Sequence, residues 1–154
     1  YENILLPLSL HSVPEKEGRN RLEQLADYLE VTDVLDKFPS QMSGGQKQRI
    51  AAARALILNP ELVLADEPTG ALDSRNAKLL MEKLTGLNRN SNTTILMVTH
   101  DCNAASYCGR ILFIQDGQIF HELRQDIPRE SRQDFYQRIL KTMAQLGGGS
   151  ANVL

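Results

Sequence analysis

The chain has 154 residues, 42% of them apolar and 23% charged. That is the balance of one globular domain, and it excludes a disordered, collagenous or coiled-coil chain. Its 17 basic and 19 acidic residues leave a net charge of −2, without the basic excess that points to nucleic acid or an anionic bilayer. No run of about 18 apolar residues is present to span a membrane.

The first segment, Ile4-Leu5-Leu6-Pro7-Leu8, is a short apolar patch that proline is expected to break. Pro14 followed by Glu15 and Glu17 suits a helix start. Leu22, Leu25, Ala26 and Leu29 then recur at i, i+3, i+4 and i+7, so one face of that helix is apolar. Thr32 is placed to cap a short turn carrying Val34 and Leu35, which Phe38-Pro39-Ser40 ends. Residues 43–58 open with Ser-Gly-Gly and run through four alanines to Asn59-Pro60, which predicts a helix. Its Arg and Lys residues read as a solvated face.

Residues 61–66 (Glu-Leu-Val-Leu-Ala-Asp) predict a short, fully buried strand of the parallel-sheet kind. Pro68-Thr69-Gly70 is a loop. Ala77, Leu80, Met81, Leu84 and Leu87 give helical spacing over 74–87, and Asn88 to Asn92 reads as a polar turn. Residues 94–99 form a second buried strand, bounded by His100-Asp101. Strand, helix and strand make a βαβ unit with parallel strands. Arg110–Gln115 is a third strand, and Asp116-Gly117 turns it into a hairpin with Gln118–Leu123. Residues 129–146 form a last amphipathic helix, and Gly147-Gly148-Gly149-Ser150 reads as a flexible tail.

Parallel strands present functional groups at their carboxyl ends. Here the two buried strands end in Asp66-Glu67 and His100-Asp101. The crossover brings those ends to one edge of the sheet. Carboxylates and an imidazole converging there suit metal-assisted hydrolysis of a phosphoanhydride. The Ser43-Gly44-Gly45-Gln46 turn opens the alanine-rich helix. Its glycines allow close approach, and its free N–H groups and helix dipole favour an anion. Cys102 and Cys108, spaced C-x5-C, fit neither a zinc nor a redox motif and read as free thiols in a reducing compartment. His11 and His121 carry no assigned chemistry. No signal peptide opens the chain, which begins at Tyr1 in place of Met, so an upstream portion is expected to have been removed.

Ser43 to Arg49 (SGGQKQR), followed by Ala53-Arg54-Ala55-Leu56, resembles the signature motif of ABC ATPases. Leu62 to Glu67 (LVLADE) resembles their Walker B strand, and Pro68 to Ser74 (PTGALDS) their D-loop. His100 stands where their switch histidine stands. Taken singly, each feature is common in proteins with no such chemistry; in this order and spacing they are specific, and together they cover essentially the whole chain. Glu2-Asn3-Ile4, Leu6-Pro7-Leu8 and PTGALDS are similar to one branch, that of macrolide-efflux, lipoprotein-release, bacitracin-resistance and cell-division systems.

The resemblance implies an α/β fold: a partial P-loop NTPase (RecA-like) parallel sheet with a small helical subdomain. It implies a helical subdomain over 1–42 and, over 43–123, the signature, Walker B, D-loop and switch-histidine part of the core. A C-terminal helix and tail follow over 124–154. It also implies roles. Asp66 would hold Mg2+, and Glu67 would act as general base on water. His100 would contact the γ-phosphate of ATP. Ser43, Gly44, Gly45 and Gln46 would meet the γ-phosphate of a nucleotide bound mainly by a second copy. Asp73 would communicate across that interface. The implied partners are a second ATPase subunit, head to tail, and a membrane permease, with no nucleic acid. The implied place is cytoplasmic, peripheral on the inner face of the cell membrane. The alternative is a non-transporting ABC-type ATPase of a cell-division or regulatory complex.

The sequence departs from the pattern twice. Met42 stands where the family has leucine, an apolar swap of similar volume. More seriously, no G-x4-G-K-[ST] phosphate loop occurs among the ten glycines. The Walker A portion is therefore missing, along with the adenine-stacking segment and the Q-loop glutamine. This chain alone is expected to be inactive and to bind ATP negligibly. Unpaired strand edges and an exposed apolar seam are expected, with self-association or poor stability as the consequence.

Overall fold

The computed structural model describes residues 1–91 and 93–146 and the backbone of 152–153. The tail at 147–150 lies outside the described residues. By compactness the chain divides into two units, residues 1–63 with 71–95 and residues 64–70 with 96–154.

The first unit is mostly helical. Helix α1 covers Glu2–Leu10, α2 covers Glu15–Tyr28, α3 covers Gly44–Leu56 and α4 covers Ser74–Ser91. Pro7 does not break the first apolar patch; it sits inside α1. Proline there forfeits one backbone bond and crowds the preceding turn, at a cost of about 3 kcal/mol. Ile4 and Leu8 of the same helix are fully buried, each worth about 1.5–3 kcal/mol, which offsets that cost. Thr32 begins a 3-10 turn, Thr32–Val34, without capping it through its side chain. The turn still buries Val34 beside Leu35 as its spacing requires. These residues join Leu22, Ala26, Ala53 and Leu56 in one core. Helix α4 runs on to Ser91, through most of the segment read as a polar turn. Asn88 Nδ2 donates to the Thr93 carbonyl at 2.8 Å, which secures the exit from that last helical turn.

Strand β1 covers Leu62–Asp66 and β2 covers Thr94–Val98, and the two form a two-stranded sheet. The Thr94 N–H donates to the Glu61 carbonyl where the strands begin, and the Glu67 N–H donates to the Val98 carbonyl where they end. The strands are therefore parallel. They are not fully buried as read from their apolar runs. Val63 and Met97 are buried, but Leu62, Leu64 and Leu96 are 53%, 72% and 46% exposed. Apolar content makes a strand; layers on both faces bury it, and β1 and β2 lack such cover among the described residues.

In the second unit, β3 (Arg110–Gln115) pairs antiparallel with β4 (Gln118–Arg124). Asp116 and Gly117 both have positive φ, 52° and 76°, the geometry of a tight hairpin turn. β5 (Asn152–Val153) lies antiparallel on the other edge of β3. A short helix, α5 (Cys102–Ala105), follows β2, and α6 (Arg132–Gln145) starts at a Ser131 cap. Phe113, Ile111, Ala105, Phe135 and Ile139 form this unit's core. Burial pushes the Cys108 thiol up, and burial with the nearby Asp101 charge does the same to Cys102. Both thiols are free, as expected, and neither is activated.

Candidate functional site

One cluster lies at the carboxyl ends of β1 and β2, within the second unit. Asp66 ends β1 with an exposed side chain. The next residue, Glu67, turns the chain with φ of 42°, a conformation that non-glycine residues adopt only when their surroundings fix it. Its N–H is tied to Val98 at 2.8 Å and its carbonyl accepts from the Gly70 N–H at 3.1 Å. That backbone aims the Glu67 carboxylate across the end of β2. Oε2 accepts from the Thr99 hydroxyl at 3.0 Å. Oε1 accepts from the His100 N–H at 2.9 Å and lies 2.6 Å from His100 Nδ1.

Partial burial pulls the Glu67 carboxyl upward. The His100 ring, the Thr99 hydroxyl, the His100 N–H and the His100 charge together outweigh it and hold the group below the ordinary carboxylate range. Thr99 is itself 1% exposed, and its oxygen also accepts from the Asp101 N–H at 3.1 Å. Asp101 in turn caps α5 by accepting from the Asn103 N–H at 2.8 Å. The His100 side chain stays 75% exposed, so the imidazole rests on Glu67 while facing solvent.

The second cluster lies within the first unit, where α3 and α4 begin. Ser43 caps α3: its Oγ accepts from the Gln46 N–H at 3.2 Å, and Gln46 Oε1 accepts from the Ser43 N–H at 2.9 Å. This capping box satisfies two otherwise orphaned donors. It uses the acceptor atoms of both side chains, which leaves the Ser43 O–H and the Gln46 amide N–H available to donate to an anion. The glycines answer a packing need as well. A Cβ on Gly45 would stand 2.5 Å from Asn76, and one on Gly44 would stand 3.3 Å from the Ala71 carbonyl oxygen. Glycine at 45 is thus required by Asn76, before any ligand is considered.

Asp73 caps α4. Its Oδ1 accepts from the Arg75 and Asn76 N–H groups, each at 3.0 Å, and its Oδ2 accepts from Asn76 Nδ2 at 2.6 Å. The Asn76 N–H and amide, followed by the Arg75 N–H, hold the Asp73 carboxyl below its usual range. Asn76 Oδ1 accepts from Arg49 Nη1 at 2.9 Å. Arg49 is only 8% exposed, a correction to its reading as part of a solvated face.

The structure therefore joins Glu67 with His100, and the Ser43–Gln46 turn with the Asp73 loop. Thr99, Asn76 and Arg49 were not singled out by sequence reasoning. The signal for Thr99 was a hydroxyl directly before His100. Asn76 and Arg49 are ordinary helix residues whose roles come from packing. Asp66 offers an exposed carboxylate oxygen, the hard ligand type that Mg2+ takes while keeping several waters; among the described residues no group of three or more acidic, His or Cys side chains is arranged to hold a metal ion. No described helix is long and apolar enough to cross a membrane.

Residues 2–70 match the family described as ABC transporter. The chain is 52% identical over 147 residues to the bacitracin export ATP-binding protein BceA of Halalkalibacterium halodurans, covering 96% of this chain and 57% of that protein. It is 53% identical over 147 residues to the uncharacterized ABC transporter ATP-binding protein YvcR of Bacillus subtilis, covering 96% and 56%. Among solved structures it resembles the dimeric ABC transporter cassette MJ0796. There the TM-score is 0.65 at 40% identity, over 72% of this chain and 48% of that one. MJ0796 in its post-hydrolysis state with ADP and Pi gives a TM-score of 0.64 at 39% identity, over 72% and 48%. The chain spans a little over half the length of these two curated relatives.

Proposed function

The chain belongs to the ABC transporter family of ATP-binding proteins, and from that premise we propose that it supplies part of an ATP-hydrolysing subunit that energises a membrane permease. The observation that carries this reading is the Glu67 carboxylate held through both oxygens at the strand ends by Thr99 and His100. A carboxylate fixed in the ionised form accepts a proton from water. The water oxygen then attacks the γ-phosphorus as the bond to the ADP oxygen breaks. Such a base contributes about 10²–10⁴-fold in rate. In this reading the His100 ring, exposed to solvent, meets the γ-phosphate and orients that water. Mg2+, held through Asp66, supplies charge neutralisation on the phosphates when bound.

Ser43, Gly44, Gly45 and Gln46 present the α3 N-terminus and the two side-chain donors to a γ-phosphate held mainly by a second subunit. Asp73 lies beside them, at the interface that such a head-to-tail pair would form. The solved MJ0796 cassette is dimeric, which supports this arrangement. Residues 1–42 form the helical part that would face the permease, residues 43–123 the part of the ATPase core named above, and residues 124–154 the C-terminal helix and tail. The proposed place is the cytoplasm, against the inner face of the cell membrane. The branch is that of the bacitracin-export relatives. The phosphate cradle of G-x4-G-K-[ST] type is not assigned to this chain, whose sequence has no such pattern.

The test is ATP turnover by the full-length protein with Glu67→Gln. The expected result is a fall of about 10²–10⁴-fold with nucleotide binding retained. Turnover at the unsubstituted level overturns the assignment of Glu67.

A further inference from the structure

Asn76 stands between a donor-only group and an acceptor-only group. Arg49 can only donate, and its Nη1 donates to Asn76 Oδ1 at 2.9 Å. The ionised Asp73 can only accept, and its Oδ2 accepts from Asn76 Nδ2 at 2.6 Å. The two partners thus fix the orientation of the amide without ambiguity. A carboxylate at 76 would lack the donor, and a hydroxyl would lack the span. The same side chain also fills the space beside Gly45 that a Cβ would need, at 2.5 Å. Arg49 is 8% exposed and its Nε has no partner among the described residues. Its bond to Asn76 is therefore a principal constraint on a buried cation.

From this we propose that Asn76 is a positioning residue that locks the Asp73 loop to the Ser43–Gln46 turn, so that both address the nucleotide as one rigid body. Arg49 anchors the lock in α3, and Gly45 makes room for it. The inference rests on the reading of that turn and of Asp73 as parts of an ATP site. It assigns to Asn76 no contact with nucleotide. Its effect is on geometry, where a displacement of an ångström is enough to slow a reaction about 10²-fold.

Amide hydrogen exchange tests the lock without nucleotide, so its failure is separable from failure of the ATPase reading. The reporters are the Gln46 and Lys47 amides, bonded to Ser43 Oγ and to the Ser43 carbonyl. Asp73→Ala removes no contact of α3 directly. Through Asn76 it is expected to speed exchange at Gln46 and Lys47 several-fold, and in an Asn76→Ala background this effect is expected to vanish. Unchanged exchange at Gln46 and Lys47 in Asp73→Ala overturns the lock, and that single variant decides the matter even if Asn76→Ala fails to fold. In the full-length protein, Asn76→Asp keeps the Arg49 bond but turns a carboxylate toward Asp73. The expected result is a fall in kcat of about tenfold with KM for ATP within about twofold. An unchanged kcat overturns the positioning role.

Discussion

The strand-end cluster and the α3–α4 junction hold their functional groups by opposite means. At the strand ends a strained backbone does the placing. Glu67 sits at φ of 42°, and its carboxylate reaches across to the next strand, where a buried hydroxyl and an adjacent N–H receive it. At the junction Ser43 leads into α3 with ordinary extended backbone, φ −67° and ψ 163°. The side chains do the placing by capping: Ser43 on α3, Asp73 on α4, and Asn76 between them. The first arrangement spends distortion to aim one group. The second uses the acceptor atoms of Ser43 and Gln46 on local structure and leaves the Ser43 O–H and the Gln46 amide N–H outside the cap. In the proposed function a base must be fixed singly, whereas an anion cradle needs many donors, and the two devices suit those two tasks.

If the junction depends on packing more than on capping, substitution at Gly45 will outweigh removal of a cap. Gly45→Ala gains about 1 kcal/mol of helix propensity. It also places a methyl 2.5 Å from an Asn76 side chain that is tied at both ends. Asn76 cannot swing aside without breaking one of those bonds, and overpacking of this sort costs about 1–3 kcal/mol. A net loss of up to about 2 kcal/mol is expected in chemical denaturation, while Gly44→Ala, with 3.3 Å to its nearest neighbour, stays close to neutral. Equal effects at the two glycines would mean that Asn76 is not the constraint. Ser43→Ala comes next. It removes one half of a solvent-exposed capping box, worth about 1 kcal/mol, and a loss above that of Gly45→Ala would reverse the comparison.

Much of this was legible in the sequence because it is written in local chemistry. Ser43 with Gln46 three residues on is a capping box, Asp116-Gly117 is a hairpin turn, and polar residues closing two apolar runs are strand ends. Pro7 reads as a breaker because its cost is local, whereas the burial of Ile4 and Leu8 that offsets it is tertiary. The strands were read as fully buried because an apolar run carries no record of what covers it. Leu64, 72% exposed, shows the difference. Arg49 was read as solvated because a charge on a helix usually is. Its hydrogen-bond partner lies 27 residues away, and no periodicity in α3 announces Asn76. The same holds for Thr99, whose role depends on the left-handed turn at Glu67 that follows β1.

The smallest expected effect separates the two devices most cleanly. The depressed carboxyl of Glu67 owes part of its position to Thr99. A folded-state value below the unfolded one means that the group stabilises the fold above the unfolded carboxylate range, near pH 4.3. That contribution is lost as pH falls through the folded value. Thr99→Val preserves shape in the buried site while deleting the hydroxyl that donates to Oε2 and accepts from the Asp101 N–H. The Glu67 titration, followed by carboxyl NMR, is then expected to move upward toward the ordinary range. The acid limb of the unfolding curve should move the same way, while the Asp73 titration stays where it was. The Asp73 carboxyl is held by Asn76 and Arg75. A Glu67 midpoint unmoved by Thr99→Val would mean that the His100 ring and N–H hold the Glu67 carboxyl down without the hydroxyl, leaving the buried hydroxyl only its bond from the Asp101 N–H.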